Sequence, residues 1–376
     1  MRKLLLLLLL LSLVCMPNTA HADLQQDLVD QVDEGLSNLD FSDVNDVVNG
    51  YVGDIAEKVK AIINGEFDSI DGFLQIVFDV SNSSLKNLLP KLVSLFVVMV
   101  VVGLVRKTSG GFISTGTEEV VSFVGKAVML VTLISLFVDV FVQVEQLIYQ
   151  LSALSDASMP ILLTLVVANG ASNMSAVCQP SMLMFSSAII TIVRNVLLPL
   201  AISAAAFSFV SNLSQGVKVT KMASFLHSSA LWILGILFTV FSAFTSVQGI
   251  AAATMDGVSY RMAKFTAKNY IPILGGYISD GFDIVVASTS LIKNSFGVVL
   301  LIVVVAMVLK PLVSIVSLNL GLQAVTALSE PVVADNCSAI FAGVRKCLTF
   351  LSALIVAVAF MFCILVIVAI SCANGV

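Results

Sequence analysis

Charge is scarce in this 376-residue chain: 11% of its residues are Asp, Glu, Lys or Arg, against roughly a quarter in soluble domains. That shortage excludes an ordinary soluble enzyme. Histidine is scarcer still, with only His21 and His227, so no histidine pair is available to ligate a metal or serve as a catalytic dyad. The six cysteines (Cys15, Cys178, Cys337, Cys347, Cys363 and Cys372) show no CxxC or Cys/His spacing and read as small hydrophobes. GxxxxGK[ST], GxSxG and HExxH are all absent, which removes support for an intrinsic ATPase, a serine hydrolase or a zinc protease. The chain is expected to be no enzyme and to hold no cofactor or metal.

What is present is apolar. Hydrophobic residues make up 58% of the chain, 23 of them Phe, and the mean hydropathy is +1.04. Such a chain is solvated by lipid; the bilayer, not nucleic acid, is its surrounding partner. The expected fold class is all-α, a polytopic helical membrane protein.

The first residues read as a processing signal. Arg2 and Lys3 precede the apolar stretch Leu4 to Val14, and Ala20-His21-Ala22 is a small-x-small cleavage site. Eleven apolar residues rise only about 16 Å as a helix, half of a hydrocarbon core, so a cleaved signal at 1–22 is favoured over an uncleaved anchor. A lipoprotein reading at Cys15 fails because Val14 before it is not small.

Residues 23–85 then lie outside the cytoplasm. Residues 23–79 hold 14 of the 24 acidic residues and two basic ones, Lys58 and Lys60, whereas everything from residue 80 onward carries 15 Lys/Arg against 10 Asp/Glu. Leu24, Leu28, Val32, Leu36 and Leu39, then Val44, Val48, Tyr51, Val52, Ile55, Val59, Ile62 and Ile63 recur at helical spacing. The segment reads as short acidic amphipathic helices, broken at Gly35, Gly50, Gly53, Gly65 and Gly72. It is either a solvated cap on the membrane domain or a surface for docking a partner.

The polytopic domain, 86–376, divides into a first hairpin (86–158) and two repeats (159–258 and 259–376). Four spans stand out at about 88–105, 120–148, 228–253 and 348–371, and two longer runs at 181–213 and 296–328 are interrupted at Pro199 and Pro311. The repeat rests on Met159-Pro160-Ile161-Leu162 with Pro199, and Ile271-Pro272-Ile273-Leu274 with Pro311: both proline pairs are 39 residues apart. Leu88-Leu89-Pro90 fits a third, degenerate copy. Pro160, Pro199, Pro272, Gly275, Gly276 and Pro311 are the candidate helix breaks. With residue 85 outside, six crossings put Arg106, Lys107, Lys218, Lys221, Arg345 and Lys346 inside. Arg261, Lys264 and Lys268 break that rule, which calls for an interfacial or re-entrant segment or a count of crossings that differs by one.

Ionisable groups in apolar runs cost about 2.5–3.5 kcal/mol or more at mid-bilayer. Asp139, Arg194, Asp280 and Asp283 are therefore candidates for a polar channel, a subunit contact or a structural ion pair, while Glu145, Lys293 and Lys310 are expected to snorkel to an interface. The Gly-rich region 255–296 fits a re-entrant hairpin or close packing between subunits.

Asp256-Gly257-Val258, Ala263-Lys264-Phe265 and Ile271-Pro272-Ile273-Leu274-Gly275-Gly276, together with the signal, the acidic segment and the Met159-Pro160-Ile161-Leu162 stretch, resemble the stage III sporulation protein AE family of endospore-forming bacteria. The resemblance implies a multi-pass subunit in the mother-cell membrane around the engulfed forespore, part of a channel or secretion-like complex. It implies as partners other membrane subunits of that complex, a forespore-side membrane protein and a cytoplasmic ATPase acting in trans, with oligomers expected. It carries over no catalytic residue. The competing reading is a self-sufficient secondary transporter or permease, suggested by the repeats, the broken helices, Asp139 and Arg194. An intramembrane protease would need a Ser/His or Asp/Asp pair in facing spans, which the lone His227 and scattered carboxylates do not provide.

Overall fold

The computed structural model describes residues 29–51, 53–65, 86, 88–101, 103–104, 115–169, 172–213, 219–255, 275–329 and 338–371. Its regular elements are all helical. Three short helices come first: α1 (29–37), α2 (Ser42–Val48) and α3 (Ile55–Ile63). A short apolar helix α4 (Leu88–Val101) follows, then α5 (Thr115–Ala168), α6 (Ser172–Ile192), a π-turn (Val193–Leu197), α7 (Leu198–Leu213), α8 (Thr220–Met255), α9 (Gly275–Ser329) and α10 (Ser338–Ser371).

Among the described residues, five helical stretches are long and apolar enough to cross a membrane: Phe123–Ala168, Ser181–Ser211, Thr220–Gln248, Ile284–Ser329 and Ile340–Ser371. The chain is a polytopic helical membrane protein. In the sixth expected span, 88–105, the described residues are helical: the apolar helix α4 and, after it, residues 103–104.

Two expected breaks are not breaks. Pro160 lies inside α5 and Pro311 inside α9. A proline removes one i→i−4 bond and crowds the carbonyl four residues back. At Pro160 both the ring and Asp156 are on the exposed face, so the released carbonyl faces away from the packed core, and Thr164 Oγ1 donates to the Pro160 carbonyl at 2.8 Å. Pro311 is buried between Val308 and Ile315 of the core, where packing of α9 against α5 and α10 holds both halves in line. α5 thus runs 54 residues and α9 runs 55, each about 80 Å long. The division drawn between residues 158 and 159 falls within α5. At Pro199 the break takes another form: the chain stays helical but inserts one residue, with the Leu198 N–H reaching back five residues to the Val193 carbonyl. Gly275 and Gly276 open α9, and Pro272 lies outside the described residues.

α10 is the hub, packed on α5, α6, α7, α8 and α9. Leu348, Leu351, Leu354, Ile355 and Val366 on it are fully buried. α9 and α10 run antiparallel, since Arg345 meets Asn319 at one end while Gly297 takes the tip of Ile370 at the other.

The acidic helices are tied together by polar contacts. Asp54 caps α3 by accepting from the Ala56 N–H at 2.8 Å, Asn45 Oδ1 accepts from the Ile55 N–H at 2.9 Å, and Lys60 pairs with Asp33 at 2.7 Å. Their apolar residues Val44, Val48, Ile55 and Val59 are wholly buried, with α2 against α5 and α3 against α9. Phe41 stacks at a tilt on Phe296, centroids 5.5 Å apart, and Tyr51 Oη donates to Gln150 Oε1 at 2.9 Å. Gly35 does not end a helix; it sits within α1, and a Cβ there would lie 2.8 Å from Ile292 Cδ1. The break falls at Gly53, whose φ of +78° only glycine adopts cheaply.

Candidate functional site

The charges sort to opposite ends of the bundle. The docked cap presents Asp30, Asp33, Glu34, Asp40, Asp43 and Asp46 outward. The Ser42 hydroxyl, then the Ser42 N–H, donates to the Asp40 carboxylate and holds its pKa below the ordinary value of 3.8. At the other end Arg345 donates to Asn319 Oδ1 at 2.9 Å and to Gln323 Oε1 at 3.2 Å. About 37 Å of α10 separates Arg345 from Ile370, which packs on Gly297 next to Phe296 and so next to the cap. That is close to the thickness of a bilayer including part of its headgroups.

Asp139, on α5, forms an ion pair with Lys91 of α4. Leu92, the next residue, sits against Gly321, so this pair lies at the Arg345 end and not at mid-bundle. Arg194 lies in the π-turn, its guanidinium 3.8 Å over the Tyr149 ring and one Nη donating to a Tyr149 Oη. The extra residue of the π-turn thus carries the cation toward α5. Asp280 and Asp283 fall in the first turns of α9, while Arg261, Lys264 and Lys268 lie outside the described residues. The structure therefore does not bring the expected polar residues together into one channel-like cluster among the described residues: Asp139 and Arg194 have separate partners.

Lys293 departs from its expected place. It is fully buried, and its neighbours Ile292 and Phe296 are the residues against which Gly35 and Phe41 dock. Asn169, at the end of α5, is also fully buried, with both amide atoms lacking a partner. No period or motif singles out either one. Among the described residues no group of three or more His, Cys, Asp or Glu could hold a metal.

A recess lined in part by hydroxyl groups, a cavity of 560 Å³, lies between α7, α8 and α10 at the basic end. His227 Nε2 approaches the Lys346 carbonyl at 3.2 Å; a carbonyl only accepts, so this nitrogen carries the proton. The His227 ring meets Phe350 edge-on, centroids 6.0 Å apart.

A buried helical hub, an acidic cap and a basic opposite end describe architecture without chemistry. The family model described as stage III sporulation protein AE matches residues 53–373. The chain belongs to the stage III sporulation protein AE family. The stage III sporulation protein AE of Bacillus subtilis (strain 168) is 26% identical over 363 residues, covering 94% of this chain and 90% of that protein. No solved structure matches. The family match begins at Gly53, between α2 and α3, and so takes in α3 together with the whole helical body. Membership in the family supports a role in sporulation.

Proposed function

We propose that this chain is a non-enzymatic, multi-pass subunit of a channel or secretion-like complex in the mother-cell membrane around the forespore. The family match over residues 53–373 carries the reading. The end-to-end charge separation supports its orientation, with the acidic cap α1–α3 outside the cytoplasm and Lys221, Arg345 and Lys346 inside. Its partners are then other membrane subunits, a forespore-side membrane protein that faces the cap, and a cytoplasmic ATPase that supplies the energy this chain has no motif to generate.

Deletion of the gene in its own host tests this. Forespores should shrink after engulfment and late forespore gene expression should fall, with both restored by the wild-type gene. Normal spores would overturn the proposal. Solute uptake by the purified chain alone in liposomes would instead favour a self-sufficient transporter.

A further inference from the structure

The polar cavity and an apolar notch share one face of α8. Thr220, Ser224, Ser228, Leu231, Gly235 and Thr239 follow one another at three- or four-residue steps, which places them in one stripe along the helix. The first three line the cavity, and the last three line a notch of 480 Å³ together with Trp232, Ile236 and Val240. Nothing lies within 4 Å of where a Cβ on Gly235 would be, so the notch is open there. Thr239 Oγ1 donates to the Gly235 carbonyl at 2.8 Å, which satisfies the hydroxyl and leaves the notch apolar.

Among the described residues, hydroxyl groups and small apolar side chains line the cavity, Lys346 is the charged residue in its wall, and no carboxylate lines it, a lining that accepts an anion. It also includes the first turn of the 36-residue α8, where the helix dipole favours negative charge. Ser211 and Thr220 hydrogen-bond to each other where α7 gives way to α8, at the hairpin end of the bundle. From Ser228 to Val240 the stripe rises about 18 Å, close to the half-thickness of a hydrocarbon core. α8 is also the least buried of the five spans, and Trp232 is 73% exposed.

We propose that the cavity and the notch together hold one anionic phospholipid, its phosphate among the hydroxyls and Lys346 and an acyl chain along Trp232 and Gly235. A free phosphate would use the polar half alone. A helix from a second copy packed over Gly235 would cover the notch alone and leave no preference between anionic and zwitterionic lipid.

Trp232 is the chain's one tryptophan, so its fluorescence reports the notch directly. The test is quenching of Trp232 in the full chain, reconstituted in phosphatidylcholine vesicles doped with brominated phosphatidylglycerol or brominated phosphatidylcholine. The anionic lipid should be preferred about fivefold, the worth of one cation near an anionic lipid. Lys346→Gln should bring that preference close to one, Ser224→Leu should lower it by filling the cavity, and Lys310→Gln should leave it unchanged. Equal quenching by the two lipids in the wild-type chain overturns the proposal whether or not any variant folds. Loss of the preference on adding millimolar inorganic phosphate also overturns it, because the polar half then takes a free anion and not a headgroup.

Discussion

At Gly343, α10 packs closely against α7. A Cβ there would lie 2.0 Å from Ser208 Oγ and 3.4 Å from Ser208 Cβ. In a bilayer, helices are held by close packing and not by a hydrophobic drive, so such small-residue contacts carry much of the association. Gly343→Ala forces the Ser208 hydroxyl to leave its present interaction or the two helices to part, at about 1–3 kcal/mol. Ser208→Ala deletes the clashing atom and leaves a 3.4 Å approach, which the backbone tolerates. The double variant should therefore be more stable than the sum of the single changes by about 1 kcal/mol or more. Unfolding titration with SDS in mixed micelles, followed by helicity, measures all four corners of the cycle. Additivity within about 0.5 kcal/mol would refute the steric account of this contact.

Four further expectations follow from the geometry. Tyr149→Phe keeps the ring beneath Arg194 and loses only the hydroxyl, whereas Tyr149→Leu should cost about 0.5–2 kcal/mol more in the same titration; equal losses would deny the ring a role. Ile55→Ala, at a wholly buried position, should weaken cap docking by about 2–5 kcal/mol, read as faster proteolysis within residues 29–65 while the bundle survives. Lys91→Asp and Asp139→Lys should each lower the yield of folded protein and should restore it when combined; a double variant no better than either single one would mean that the ion pair is incidental. The Asp40 carboxyl, depressed by Ser42, contributes to cap stability above the ordinary carboxylate range and loses that contribution as pH falls through its folded value. Ser42→Ala should raise the Asp40 midpoint in an NMR titration.

Much of the fold is visible in residue spacing. Val44, Val48, Ile55 and Val59 announce helices with one buried face, and the apolar runs each fall on a long helix, although the run 120–148 stops about 20 residues before α5 ends and the run 296–328 starts about 20 residues after α9 begins. What the spacing hides is tertiary. The cost of Pro160 and Pro311 depends on where the released carbonyl points and on what packs alongside, so prolines that look like breaks lie inside continuous helices. Lys293 is fully buried beside Ile292 and Phe296, which meet a cap encoded some 250 residues earlier, and no local pattern carries that information. The recess at the basic end draws Ser208, Thr220 and Lys346 from three helices, each an ordinary surface residue when read alone. The partner of Arg194 is similarly hidden, since a one-residue insertion just before Pro199 turns the guanidinium onto Tyr149.

The length of α5 and α9 bears on how the chain survives in a cell. Each carries a candidate span of 46 residues, and even at a steep 40° tilt a 30 Å hydrocarbon core accommodates only about 26. Some twenty residues on each helix are left beyond the reach of acyl chains, with exposed apolar side chains such as Val285 and Leu291 at one end of α9 and Leu320 and Leu328 at the other. Lipid alone cannot shelter both ends. Within the proposed complex, stability would then obey mass action: a copy made without the proposed partner subunits should be shorter-lived in a pulse-chase measurement than one made with them.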